Sequence, residues 1–212
     1  MEILLVRHGE PVTVVNESEP ADPHLTERGS WQAERLAEWL AHEPIDAIVS
    51  SSKRRAIDTA RPLCTRLAIE PELVPDLVEI DRLSRIYAPP PLLAERFPEY
   101  VEAMQKGDFE SIGWDSYEDF QARVTRGWQD LVDRPRGDRV VVACHGGTIG
   151  VILSHLLGVS SHSLFDSTPY ASVTRVLVVG EDARVRSLHE TAHFDGVRAS
   201  TAGWEGEGFP PA

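Results

Sequence analysis

The chain has 212 residues, 42% hydrophobic and 26% charged, the profile of an ordinary globular domain with enough material for one full core. Acidic residues outnumber lysine plus arginine 34 to 21, giving a formal net charge of −13, which argues against non-specific nucleic-acid binding and against an anionic membrane surface. Two cysteines are too few for a disulfide framework, so both are expected as buried free thiols. The N-terminus lacks a basic leader, and no apolar run reaches the length of a membrane span, so the expected location is cytoplasmic.

Residues 3–6 form a continuous apolar run with a β-branched residue at each end, which predicts a strand buried on both faces. A polar, proline-containing loop covers 11–24. Thr26 is a helix cap, and Ala33, Leu36, Ala37 and Leu40 give the following helix an apolar face to about residue 41. A second strand is predicted over 45–49 and a second helix over 52–67, with Pro62 as a point where it kinks or breaks. Residues 73–80 read as a weaker extended stretch. The region 81–114 is irregular, carries Pro89-Pro90-Pro91 and predicts one helix near 92–106, the composition of a small inserted lid.

Phe120, Val124, Trp128 and Leu131 set a helical period over 117–132. A turn at 134–138 leads to the clearest strand, 139–144, and an apolar helix over 147–157. Strands at 172–179 and 184–188 flank Gly180-Glu181-Asp182, a hairpin signal, and the end of the chain, about 203–212, is expected to fray. Strands alternate with helices throughout. This predicts a single α/β domain, a three-layer α/β/α sandwich with a mainly parallel central sheet. The exposed hairpin edge permits a homodimer without requiring one.

In open sheets of this kind, ligands bind beyond the carboxyl ends of the strands. The first strand is followed by Arg7-His8-Gly9-Glu10, the second by Ser50-Ser51-Ser52-Lys53-Arg54-Arg55, and the 139–144 strand by His145-Gly146-Gly147. Three strands therefore deliver two histidines, arginines and glycines to one edge. Arginine forks match phosphate oxygens, the amides of Gly146 and Gly147 open a helix, and histidine serves as nucleophile or proton carrier near neutral pH. The combination is a phosphate pocket with a nucleophile in it. Lys53 and Arg54 are expected to be solvated rather than catalytic.

The same segments resemble the motifs of the histidine phosphatase (phosphoglycerate mutase-like) superfamily. Leu5-Val6-Arg7-His8-Gly9-Glu10 resembles its signature, and Leu25-Thr26-Glu27-Arg28-Gly29 the segment after it. Ser50-Ser51 through Arg55-Ala56-Ile57-Asp58-Thr59-Ala60 resembles its second arginine motif. His145-Gly146-Gly147 resembles its second histidine motif, and Glu190 to Phe194 its C-terminal element. The resemblance implies a phosphomonoesterase acting on a small phosphorylated metabolite without metal or other cofactor. In it His8 is the covalent nucleophile, while Arg7, Arg55, His145 and Gly146 hold the phosphoryl oxygens. Glu79 protonates the leaving alcohol, with Asp76 and Asp81 as other carboxyls that could serve. Many members carry an asparagine four residues after the position of Glu10. Here Val14 stands there, and Asn16 is the nearest candidate beside Glu10 for a substrate contact. Ile80 to Arg85 replaces the family's glycine-rich stretch, and Arg82 and Arg85 are candidates to reach a second anionic group.

Phosphoglycerate mutase-type transfer and protein phosphohistidine hydrolysis are the alternatives within this resemblance. The loop acids Glu17, Glu19 and Asp22 argue against a bisphosphorylated ligand. Two other chemistries fit poorly. His189-Glu190-Thr191-Ala192-His193 has zinc-peptidase spacing, which works only on a helix, and here it follows a hairpin. Cys144 lacks the arginine that a cysteine phosphatase needs about six residues on, where Gly150 stands.

Overall fold

Ile3, Leu4, Leu5 and Val6 are all buried, so strand β1 (Glu2–Arg7) presents no face to solvent. The computed structural model describes residues 1–159 and 168–194; the expected fraying at 203–212 and Trp204 lie outside them. The elements that follow are β2 (Val14–Val15), α1 (Glu27–Leu40), β3 (Ala47–Ser50), α2 (Arg54–Leu67), β4 (Glu72–Leu73) and β5 (Ile86–Tyr87). After them come α3 (Pro90–Arg96), α4 (Pro98–Lys106), α5 (Tyr117–Asp133), β6 (Arg139–Cys144), α6 (Gly146–Leu157), β7 (Val173–Val179) and β8 (Asp182–Glu190).

Six strands form one sheet in the order β4-β3-β6-β1-β7-β8. β4, β3, β6 and β1 are parallel, and only β7 runs against the rest. Successive side chains of a strand point to opposite faces, so each central strand contributes to two cores. Leu4, Val6, Ile48, Val141 and Ala143 meet Leu36, Ala37 and Leu40 of α1 and Ala56, Ala60 and Leu63 of α2. Ile3, Leu5, Val49, Val140 and Val142 meet Phe120, Val124, Trp128 and Leu131 of α5 and Ile149, Ile152 and Leu153 of α6. Each such side chain contributes roughly 1.5–3 kcal/mol by leaving water. The result is the three-layer α/β/α sandwich with a mainly parallel sheet that the strand and helix alternation predicts. No helix among the described residues is long and apolar enough to cross a membrane.

Local chemistry explains the element ends. The Thr26 hydroxyl accepts the Gly29 N–H at 2.9 Å and caps α1, an interaction worth about 1 kcal/mol. Pro62 lies inside α2 without ending it, because Ala56, Ala60 and Leu63 hold the helix to the sheet on either side. The stretch over 73–80 is strand for its first residue only. Pro75 starts a single 3-10 turn, Pro75–Leu77, anchored by buried Leu77.

The helix predicted over 92–106 is two helices. Pro98 has no N–H to continue α3, and it forces Phe97 out of helical geometry (φ −137°, ψ 58°) before α4 begins. Residues 81–114 gather around a cluster of their own, Leu93, Tyr100, Ala103 and Ile112, separate from the two sheet cores. β2 and β5 pair as a short ribbon at its base. Of the two cysteines, Cys144 is buried as expected, but Cys64 on α2 is only partly covered.

Candidate active site

β1, β3 and β6 are parallel and nearly in step, with Arg7 opposite Cys144 and Ser50 opposite Ala143. Their carboxyl ends therefore release Arg7-His8, Ser51 and His145 side by side. The His8 backbone is pinned: its N–H donates to the Cys144 carbonyl (3.0 Å), and its carbonyl accepts the Ala171 N–H (3.2 Å). Its ring is 2% exposed, with Nδ1 2.7 Å from the Gly9 carbonyl. A carbonyl can only accept, so Nδ1 carries the proton and the lone pair of the neutral ring lies on Nε2. Burial, then the charges of Arg55 and Arg7, hold the His8 pKa well below the ordinary 6.5, against the smaller opposing effect of the Gly9 bond. His8 is an uncharged imidazole whose unprotonated Nε2 meets no hydrogen-bond donor among the described residues.

His145 meets His8 edge to face, ring centres 5.2 Å apart at 62°. Its Nε2 is 2.8 Å from the Ser51 hydroxyl, which also accepts the Lys53 N–H (3.3 Å). The assignment that gives each group one role has Ser51 donating its proton to Nε2, leaving the ring proton of His145 on Nδ1. Burial, followed by Arg55, His8, Lys53 and Arg7, keeps this ring neutral too.

Arg55 has no solvent exposure. Its Nη2 grips both oxygens of Asp81 (3.0 and 3.2 Å), and its guanidinium lies 4.6 Å over the Tyr87 ring. Burial disfavours its charge, but Asp81, Tyr87 and Glu79 together more than restore it. Arg7 donates to the Thr168 carbonyl and stacks 4.0 Å over the ring of Tyr170. Arg7 Nε, Arg55 Nε and Nη1, and His145 Nδ1 are all buried and have no hydrogen-bond partner among the described residues. A buried donor without an acceptor costs about 1–3 kcal/mol. Several such donors on residues around His8 form a cradle suited to the oxygens of an anion. Gly146 begins α6 beside Arg7, and a side chain there would press on the Arg7 guanidinium at 3.4 Å.

Glu79 is half-buried at the rim. Its Oε2 accepts the Gly147 N–H (2.8 Å) and its Oε1 the Ile80 N–H (3.0 Å). Burial and the nearby Asp81 raise its pKa, with the two amides and Arg55 acting the other way. A Cβ on Gly147 would run into the Glu79 carboxylate and could be accommodated only if that carboxylate moved. The other carboxyls are committed elsewhere: Asp81 to Arg55, and Asp76 to Arg126 at 3.6 Å.

Two further motifs brace this floor. The Thr59 hydroxyl donates to the Arg55 carbonyl one turn back (2.7 Å) and accepts the Gly9 N–H (2.8 Å), tying α2 to the nucleophile loop. Thr26 N–H donates to the Glu10 carbonyl (2.9 Å), and Gly29 packs so close to that carbonyl that a Cβ there would collide with it.

Several residues singled out from the sequence stand outside the cradle. Asn16 donates to the Glu19 and Pro20 carbonyls and shapes its own exposed loop. Arg82 pairs with Asp115 (2.9 Å), and exposed Arg85 donates to the Glu17 carbonyl (2.7 Å). Glu10 binds Thr26 and faces Arg28 at 3.9 Å. Lys53 is a correction. It is buried rather than solvated, because its ammonium donates to the Ala21 and Arg82 carbonyls, and burial lowers its pKa. Ser51, Thr59, Tyr87 and Tyr170 were missed as individual site residues. Ser51 and Thr59 carry a signal, sitting at a strand end and one helical turn after Arg55, whereas the two tyrosines arrive only through the tertiary fold. His189 lies in β8, and His193 lies in the 3-10 turn Ala192–Phe194, stacked on Trp39 at 5.2 Å, so the zinc-peptidase spacing shares no helix face. Burial pushes the Cys144 thiol strongly up, away from a reactive thiolate.

Beside the cradle opens a cavity of about 590 Å³, lined by Glu79, Tyr87 and Gly147 on one side and by Ile86, Leu93, Val101, Met104 and Trp114 of the 81–114 unit on the other.

The chain belongs to the histidine phosphatase superfamily, branch 1, whose sequence profile matches residues 3–191. A metal-independent phosphoserine phosphatase of Arabidopsis thaliana is 30% identical over 99% of this chain and 90% of its own. Phosphoserine phosphatase 1 of Hydrogenobacter thermophilus is 29% identical over 75% of this chain and 77% of its own. The solved alpha-ribazole phosphatase of Shigella flexneri has the same fold, with a TM-score of 0.71 at 22% identity over 90% of this chain and 96% of that one.

Proposed function

We propose that this protein hydrolyses phosphate monoesters through a phosphohistidine on His8, without a metal ion. The observation that carries the reading is the pairing of a neutral His8, proton on Nδ1, with buried N–H donors of Arg7, Arg55 and His145 that lack acceptors of their own. His8 Nε2 attacks phosphorus, and the P–O bond to the alcohol breaks. The proton of Glu79 passes to the departing oxygen, so a neutral alcohol leaves. Arg7, Arg55 and His145 hold the three equatorial oxygens, where pre-placed donors stabilise the transition state most. The Glu79 carboxylate then takes a proton from water, the hydroxide oxygen bonds to phosphorus, the P–N bond breaks, and its electron pair returns to His8. The raised pKa of Glu79 suits both roles, and a phosphate dianion beside it raises that pKa further.

Metal independence is supported by the name of the Arabidopsis relative and by a nucleophile that needs no metal to be activated. The test is hydrolysis of p-nitrophenyl phosphate in excess chelator, wild type beside His8→Ala. Turnover that survives the chelator and falls by at least about 10⁴-fold in the variant is expected. Undiminished turnover in His8→Ala, or its abolition by chelator, rules the mechanism out.

A further inference from the structure

We infer that the substrate is a phosphate monoester of a bulky, apolar, uncharged alcohol rather than of a small carboxylate-bearing one. This rests on the phosphomonoesterase reading above. Glu79, the proton donor, lies in the wall of the 590 Å³ cavity together with Gly147, which binds it, and Tyr87, on which Arg55 stacks. A group bonded to the ester oxygen that Glu79 protonates therefore extends into this cavity. The volume is in the range that holds a drug-sized ligand, far beyond the three-carbon alcohol of a phosphoserine or phosphoglycerate.

The lining chemistry is as informative as the size. Ile80, Ile86, Leu93, Val101 and Met104 are apolar, Trp114 adds an aromatic face whose indole N–H has no hydrogen-bond partner among the described residues, and among those residues no lysine, arginine or histidine lines the cavity. Its two carboxyls are Glu79 itself and Asp81, the latter held by Arg55. A ligand carboxylate or second phosphate would lose water here and meet acidic groups without a cation to pair with. The arginines that could have supplied one are turned away, Arg82 onto Asp115 and Arg85 onto the Glu17 carbonyl. An aliphatic or aromatic alcohol gains instead by burying apolar surface, and an enzyme selects by such differences.

The experiment is a ladder of primary alkyl phosphates, ethyl, butyl, hexyl and 3-phenylpropyl, beside phosphoserine and 3-phosphoglycerate, with p-nitrophenyl phosphate as reference. The alkyl alcohols are leaving groups of nearly equal basicity, so the ladder reads burial rather than chemistry. The expected result is kcat/KM rising about threefold to fourfold per added methylene up to the filling of the cavity, with both carboxylate esters below butyl phosphate. In Met104→Lys, a cation in the wall, selectivity for phosphoserine over hexyl phosphate is expected to rise on the order of tenfold. A flat ladder, or phosphoserine above hexyl phosphate in the wild type, overturns the substrate class while leaving the phosphatase reading intact. No turnover of any ester, the p-nitrophenyl reference included, overturns both.

Discussion

The floor of the site and the 81–114 unit above it are built on opposite terms. The floor is polar and fully determined: Arg55 and His145 have no exposure, and nearly every group is fixed by a strand end or by a bond to one. The unit above is a small apolar cluster on two short helices, and it offers the cavity hydrophobic surface and no cation among the described residues. The floor sits on a sheet buried on both faces, so it can afford several unpaired donors. The upper unit has its own small cluster, and its largely buried carboxylate Asp81 is held by Arg55 of the floor. In the proposed reading, chemistry belongs to the sheet edge and choice of substrate to the insertion.

The division predicts that damage to the floor is blind to the substrate. Arg55→Lys keeps the charge but loses the fork that serves Asp81 and the phosphoryl oxygens together. kcat/KM is expected to fall by about 10² to 10³ for every ester alike. A loss confined to one class of alcohol would place Arg55 in specificity and break the comparison.

Gly147→Ala acts at the seam between the regions. Its Cβ displaces the Glu79 carboxylate, so the rate is expected to fall by about 10- to 100-fold for alkyl phosphates, which need a proton on the leaving oxygen. p-Nitrophenyl phosphate, whose phenolate leaves unaided, should lose much less. Equal losses on both would mean that the added methyl disturbs the phosphate cradle instead.

A smaller effect is expected in the pH profile of kcat/KM, which reports the groups of the free enzyme. His8 must be neutral and its pKa is depressed, so the acid limb, where activity falls as pH falls, lies below the ordinary 6.5. Glu79 must be protonated and its pKa is raised above the ordinary 4.5, so the alkaline limb, where activity falls as pH rises, belongs to it. Glu79→Gln removes the alkaline limb and leaves the acid limb in place. An alkaline limb that persists in this variant transfers the proton donation to another group.

The contrast also explains what was legible in the sequence. Arg7, His8, His145 and Gly146 each follow directly on a run of buried apolar residues, so a strand's end fixes their position and the pattern of the run reveals it. Arg55 is the second residue of a helix that starts shortly after such an end. The mainly parallel sheet and the two helical layers follow from the same alternation, whereas the strand order is set only by the tertiary fold. The insertion carries no comparable period. β5 is two residues long, Pro98 divides what reads as one helix, and the 3-10 turn Glu110–Ile112 holds three residues. Arg82 and Arg85 looked like anion contacts because arginine suits anions, but the nearest acceptors, Asp115 and the Glu17 carbonyl, lie far away in sequence and claim them first. Lys53 misled for the same reason, since the carbonyls that bury it come from residues 21 and 82.

The most direct measurement is to quench the enzyme with substrate during turnover, locate the covalent phosphate by peptide mapping, and assign the ring nitrogen by NMR. The hydrogen bond from Nδ1 to the Gly9 carbonyl leaves one nitrogen to react, so the expected result is an acid-labile phosphate on Nε2 of His8, absent in His8→Ala. Phosphate on Nδ1, on His145, or on no residue while turnover continues would contradict the mechanism.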